Sequence, residues 1–131
     1  MAVYNVLHCH TTASDGTLTH REVRDIAQKF HIGTIAFTDH DTLIDTELFT
    51  ALKTEKHPVD IVSGIELSAN YVAEVEGDIQ LFHIIGLFID PANAALRAYC
   101  ADAKTKRMER DRKSTRLNSS HIQKSRMPSS A

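Results

Sequence analysis

Three times in the first 66 residues a short apolar run stops at a histidine or an acid: VLHCH at 6–10, IAFTDHD at 35–41 and IVSGIE at 61–66. That repeated ending constrains the fold more than any other feature. Each run has the length of a buried strand, and segments of helical periodicity lie between them. Val3–Leu7, Thr34–Thr38 and Val59–Leu67 read as strands. Thr19-His20-Arg21-Glu22 has the capping-box pattern, and Val23, Ile26, Ala27 and Phe30 follow at helical spacing until Gly33 offers a stop. A second helix over Glu47–Lys56 sets Leu48, Phe49 and Leu52 on one face. Strands alternating with helices predict an α/β arrangement with a mostly parallel sheet.

Further on, Tyr71–Val75 and Ile79–Ile89 flank Glu76-Gly77-Asp78, which reads as a hairpin turn. Asp90-Pro91 opens a third helix, with Asp as cap and Pro at the first helical position. Along it Leu96, Cys100, Ala103, Arg107 and Arg110 share one stripe, so two arginines continue an apolar face and are expected to meet something negative. No internal repeat is present, and three or four strand–helix units are too few to close a barrel.

At 131 residues the chain is one domain at most. No apolar stretch reaches the roughly 18 residues of a membrane span, and the N-terminus lacks a secretory pattern. Two cysteines, Cys9 and Cys100, give no disulfide framework, which fits a reducing cytoplasm. The net charge of −2 hides an uneven spread. From Asp111 onward lie Arg112, Lys113, Arg116, Lys124 and Arg126 against one acid, leaving −6 on the first 110 residues. An acidic body rich in histidine suits metal binding better than nucleic-acid binding unaided by metal.

His8 and His10 are two residues apart on a strand, so both side chains face one way while Cys9 faces the other. Two imidazoles at a strand end can share a metal, although such a pair also occurs as plain strand-end polar residues. Asp15, in Ser14-Asp15-Gly16, alone reads as an Asp-Gly turn. His40 stands between Asp39 and Asp41, where carboxylates can hold one tautomer. Asp39 reads as part of a helix cap or, at most, as a support behind a ligand, and Asp41 or Thr42 as a helix cap. Glu66, after an apolar strand, must face solvent or a cation, because an unpaired buried charge is very costly. His83 interrupts LFHIIGLFI and by itself reads as a hydrogen-bonded core histidine. His20, His31 and His57 read as surface residues. Singly these signals are weak, but they share a position near the ends of successive strands. In parallel α/β folds such ends converge on one mouth. Five or six N and O donors exceed the needs of one ion, so two or three divalent metals are expected.

LHCHTTASDGTLT, AFTDHDT, GIELSA and HIIGLFID, in this order across residues 1–110, resemble the PHP (polymerase and histidinol phosphatase) superfamily. The likeness is strongest to its stand-alone phosphoesterases, the RNase AM-like 5′-3′ exoribonucleases and the 3′,5′-nucleoside bisphosphate phosphatases. The resemblance implies the N-terminal part of a distorted (β/α)7, TIM-like barrel, incomplete in this chain. It also implies a metal cluster of two or three Mn, Zn or Fe ions. By resemblance His8 and His10 bind a first metal that Glu66 bridges to a third; Asp15 and His40 bind a second; His83 joins Glu66 on the third. Glu66, Arg107 and Arg110 are the expected catalytic residues, the arginines holding substrate phosphate. The implied substrate is a phosphorylated small molecule, nucleotide or short RNA, with no membrane and no stable DNA partner. The family often has proline where this chain has His20. A further metal-binding His and a closing Asp-x-His of the family are absent. Rival readings are a histidinol-phosphate phosphatase and a non-catalytic PHP module of a DNA polymerase.

From Asp111 the sequence DRKSTRLNSSHIQKSRMPSSA resembles the translation of a sequencing-library adapter. The expectation is a non-native, disordered tail over 111–131 following a PHP portion over 1–110, with the true gene continuing differently after Arg110.

Overall fold

The computed structural model describes residues 3–72 and 79–126, and the side chains of 3–69 and 81–113. Its strands are β1 (Tyr4–Cys9), β2 (Ile32–Phe37), β3 (Asp60–Val72) and β4 (Ile79–Leu87), and its helices α1 (His20–Lys29), α2 (Thr46–Thr54) and α3 (Ala94–Arg126). The sheet order is β1-β2-β3-β4. β1 and β2 are parallel, as are β2 and β3, whereas β3 and β4 run antiparallel. The chain thus forms an α/β half-barrel, part of a TIM-like barrel. Residues up to Cys100 make one compact unit and those from Ala101 a second.

Apolar residues on alternate strand positions explain the core. Ile35 and Phe37 of β2 and Ile61 of β3 face α1 and α2, where they bury with Ala27, Ile44, Leu52 and Val59. Burying an aliphatic side chain this fully contributes about 1.5–3 kcal/mol. The two outer strands keep apolar groups exposed: Val3, Tyr4 and Leu7 near or on β1, and Leu81, Phe82 and Ile84 on β4.

The capping box at Thr19 and Glu22 forms as the sequence predicts, but the rest of α1 is rotated from expectation. His20, Arg24 and Ala27 are its buried residues, while Ile26 and Phe30 are exposed. The left-handed residue after α1 is His31 (φ 58°), and Gly33 lies inside β2. α2 is capped by Asp45, whose side chain accepts the Leu48 amide; neither Asp41 nor Thr42 takes that part. Asp90 caps only a turn, accepting from Ala92, and α3 starts later, with Asn93 Oδ1 accepting the Leu96 amide.

β3 is longer than Val59–Leu67 because, past the end of β2, its edge goes on pairing with β4 as far as Val72. The turn expected at Glu76-Gly77-Asp78 lies outside the described residues. α3 is continuous to Arg126, through residues read from sequence as lacking structure. Asp111–Arg126 contains neither proline nor glycine, so nothing in it stops a helix.

Candidate metal centre

Each element delivers its donors by simple strand geometry. The end of β1 turns His8 and His10 to one side. The loop after it folds back so that the Gly16 amide donates to the Thr11 carbonyl at 2.9 Å. A Cβ on Gly16 would lie 2.7 Å from the His10 carbonyl oxygen, so only glycine lets the Asp15 turn pack this close. β2 ends at Phe37, yet the chain stays beside β3: the Asp41 amide donates to the Glu66 carbonyl and the Glu66 amide to the Asp39 carbonyl. That extra rung sets His40 directly beside Glu66. Glu66 therefore sits inside β3, not at its end, and the antiparallel β4 brings His83 across from Ser68.

All six residues read as ligands converge. Glu66, 5% exposed, is the centre. Its Oε1 lies 3.0 Å from His8 Nε2, and its Oε2 lies 2.6 Å from His40 Nδ1, 3.5 Å from His10 Nε2 and 3.7 Å from His83 Nδ1. Asp15 closes the other side, 3.0 Å from His10 Nδ1 and 3.3 Å from His40 Nε2. Three overlapping groups each keep their donor atoms within 4.8 Å of one another: His8, His10 and Glu66; His10, Asp15 and His40; His40, Glu66 and His83.

The donor chemistry fits divalent ions. Despite these short approaches, Glu66 Oε2 and His10 Nδ1 are buried without a hydrogen-bond partner. His8 Nε2 and His10 Nε2 stand 3.0 Å apart, which demands a shared proton or a cation to accept both lone pairs. Imidazole nitrogens and carboxylate oxygens aimed at a common space suit a divalent cation. Desolvation pushes the Asp15 carboxyl up. His40 and His10, with hydrogen bonds from its own amide and from Ser14, outweigh it and hold the group below its ordinary value.

Behind the ligands lies a network that sequence reading caught only in part. Asp39 Oδ1 accepts the Thr11 amide at 2.6 Å and the Ser14 hydroxyl at 2.7 Å, and its Oδ2 accepts the Thr11 hydroxyl at 2.9 Å. Asp39 thus ties the loop after β1 to the end of β2, as a support, one of its two expected parts. Asp41 (φ 47°) accepts the Ser68 amide at 2.9 Å through Oδ1. His20, read as a surface residue, is instead buried, its ring edge-on to Phe37 with centroids 4.7 Å apart. The spacing of His20, Arg24 and Ala27 by four and three was the signal for it. Arg107 and Arg110 lie on α3 in the second unit, the first half-buried and the second exposed. The covered stripe of Leu96, Cys100, Ala103 and Arg107 therefore stops before Arg110.

A family model described as the PHP domain matches residues 7–96. The chain is 36% identical over 126 residues to the 5′-3′ exoribonuclease Rnm of Salmonella typhimurium, covering 92% of this chain and 40% of that protein. It is 34% identical over 106 residues to the 3′,5′-nucleoside bisphosphate phosphatase of Chromobacterium violaceum, covering 81% of this chain and 35% of that one. A crystal structure from Bifidobacterium adolescentis, described as a metal-dependent phosphoesterase, superposes with a TM-score of 0.69 at 29% identity, over 85% of this chain and 36% of its own. The chain spans about two fifths of the length of the curated relatives it matches.

Proposed function

The chain belongs to the PHP domain family, and from that premise we propose that the whole protein is a metal-dependent hydrolase of phosphoesters in nucleotides or short RNA. The observation that carries the reading is Glu66, a buried carboxylate facing four imidazoles with one oxygen lacking any hydrogen bond. The names of the relatives support the substrate class, since both act on nucleotide or RNA phosphoesters.

Two or three divalent ions fit the three donor groups, and manganese, zinc and iron all suit this mixture of nitrogen and oxygen. When bound, such ions would lower the pKa of a water toward neutrality and polarise the phosphoryl group. The chain's own residues do the rest. His8 and His10 hold one position with Glu66; Asp15 and His40 hold a second; His83 and Glu66 hold a third. Glu66 fixes the spacing between positions, because one buried carboxylate belongs to two groups. Asp39 and Asp41 keep the two loops from yielding when charge builds at the rim. Arg107 and Arg110 are proposed to bind substrate phosphate, for which a planar guanidinium fork is suited.

The test is turnover by the full-length protein. With Mn²⁺ it should release phosphate from a 3′,5′-bisphosphonucleotide or mononucleotides from a short 5′-phosphorylated RNA, and EDTA should abolish both. Inertness toward both substrates, or a clear preference for histidinol phosphate, would overturn the assignment.

A further inference from the structure

His20 occupies the first position of α1, where a side chain ordinarily faces solvent, yet here it is 9% exposed. Its backbone is fixed by the capping box at Thr19, and its ring by the edge-on contact with Phe37. Its Nε2 is buried without a hydrogen-bond partner, and the Oδ2 of Asp39 faces it at 3.7 Å. That is too long for a hydrogen bond but short enough for a directed dipole to matter in a dry surrounding. Among the described residues, the hydrogen bonds that Asp39's side chain accepts come from Thr11 and Ser14, in the loop that carries His10 at its start and Asp15 at its end.

We propose that His20 is a positioning residue: its imidazole braces Asp39 from behind, and through Asp39 it fixes the loop that presents His10 and Asp15. The inference rests on the rim being a metal site. Desolvation lowers the pKa of His20, against an opposing pull from Asp39, so the ring stands neutral near pH 7. A neutral ring suits this place, since it offers an N–H dipole to the carboxylate without adding a charge that would compete with bound cations. The influence runs from His20 to Asp39, and from Asp39 to the loop through the Thr11 amide and hydroxyl and the Ser14 hydroxyl, which flank His10 and Asp15 in the chain. It bypasses His8 and His83. Loss of His20 should therefore weaken the His10 and Asp15 side of the rim selectively. Partners that hold a metal ligand from behind typically change metal affinity by about 10–100-fold when removed.

The experiment uses the full chain with His20→Leu, which keeps bulk but removes the N–H, and His20→Gln, whose amide nitrogen can take the place of Nε2. Two readouts are followed: hydrogen exchange of the Thr11 amide in EDTA, and Mn²⁺ binding. His20→Leu should speed Thr11 exchange and weaken Mn²⁺ binding, each by about tenfold, while His20→Gln should restore both. In an Asp15→Asn background His20→Leu should cost clearly less further affinity than in a His83→Ala background, where its full cost should remain. Unchanged exchange and affinity in His20→Leu would overturn the proposal. So would an equal loss in both backgrounds, or a Gln variant behaving like Leu. If the unsubstituted chain bound no Mn²⁺, the metal reading would fall, while the Thr11 amide would still report whether His20 braces Asp39.

Discussion

Two clusters of charge in this molecule look alike in composition and differ in how they are satisfied. On the helix side Glu55 receives Arg21 Nη1 at 2.9 Å and Arg24 Nη2 at 2.6 Å, both as hydrogen bonds. At the rim His40 and His8 approach Glu66 about as closely, at 2.6 and 3.0 Å, and His10 and His83 stand at 3.5 and 3.7 Å, yet its Oε2 has no hydrogen-bond partner among the described residues. The Glu55 carboxylate is hydrogen-bonded by both arginines, although the Nε of Arg24 is itself buried without a partner among the described residues. Glu66 is the carboxylate proposed to be completed by a bound cation. Short N···O distances alone do not tell the two clusters apart; the hydrogen bonds to the carboxylate do.

The largest effect should come from removing the carboxylate at the rim. Glu66→Gln keeps the size and strips the charge from two donor groups at once. Mn²⁺ affinity should fall about a hundredfold or more, at least the range seen when a ligand's support is lost. In the unsubstituted chain Mn²⁺ at one hundred times its dissociation constant should raise unfolding free energy by about 2.7 kcal/mol. Urea unfolding with Mn²⁺ or EDTA should show that gain intact in Glu55→Gln and cut to about 0.4 kcal/mol or less in Glu66→Gln. A gain of equal size in both variants would erase the distinction between the clusters.

A smaller effect separates two glycines. In Gly16→Ala the new methyl meets backbone, the His10 carbonyl oxygen at 2.7 Å and two carbonyl carbons at 2.8 Å, which cannot swing aside. The loop must shift, costing about 1–3 kcal/mol as overpacking does and weakening Mn²⁺ binding about tenfold, in the range for lost ligand support. In Gly33→Ala the obstacle is the end of the exposed Val3 side chain, which can rotate away. Mn²⁺ titration of both variants checks this, and equal losses would mean that distance from the rim does not matter.

What the sequence disclosed follows the same division. The convergence of the candidate residues was legible because strand alternation and strand ends are local: His8 and His10 must share a side, and His40 and Glu66 must follow apolar runs. The parallel β1–β3 order followed from alternating elements. What stayed hidden depended on contacts between distant segments. That β3 continues past Glu66 is decided by pairing with β4, which the local pattern around Leu67 does not encode. That Asp45, and not Asp41, caps α2 follows from Asp41 being drawn to the Ser68 amide, 27 residues away. His20 was misread because its polarity outweighed its spacing. The four-and-three step to Arg24 and Ala27 puts it on the buried face, and the partner that makes burial tolerable, Asp39, is remote in sequence.

The smallest expected effect concerns Glu55 and acid. Hydrogen bonds from Arg24 and then Arg21 hold its carboxyl below the ordinary value of 4.5. A group whose folded pKa is depressed contributes stability that is complete above its unfolded value and is lost as pH falls through its folded one. Subtracting the urea midpoint of Glu55→Gln from that of the unsubstituted chain, both in EDTA, isolates this group. The difference should be small and positive at neutral pH, and steady down to about pH 5. It should then shrink toward zero as the carboxyl takes up its proton. Because Glu55 is exposed, raising the salt concentration should shrink the neutral-pH difference as well. A difference that grew on acidification would mean that Glu55 is held by something other than its two arginines, and the satisfied half of the comparison would have to be redrawn.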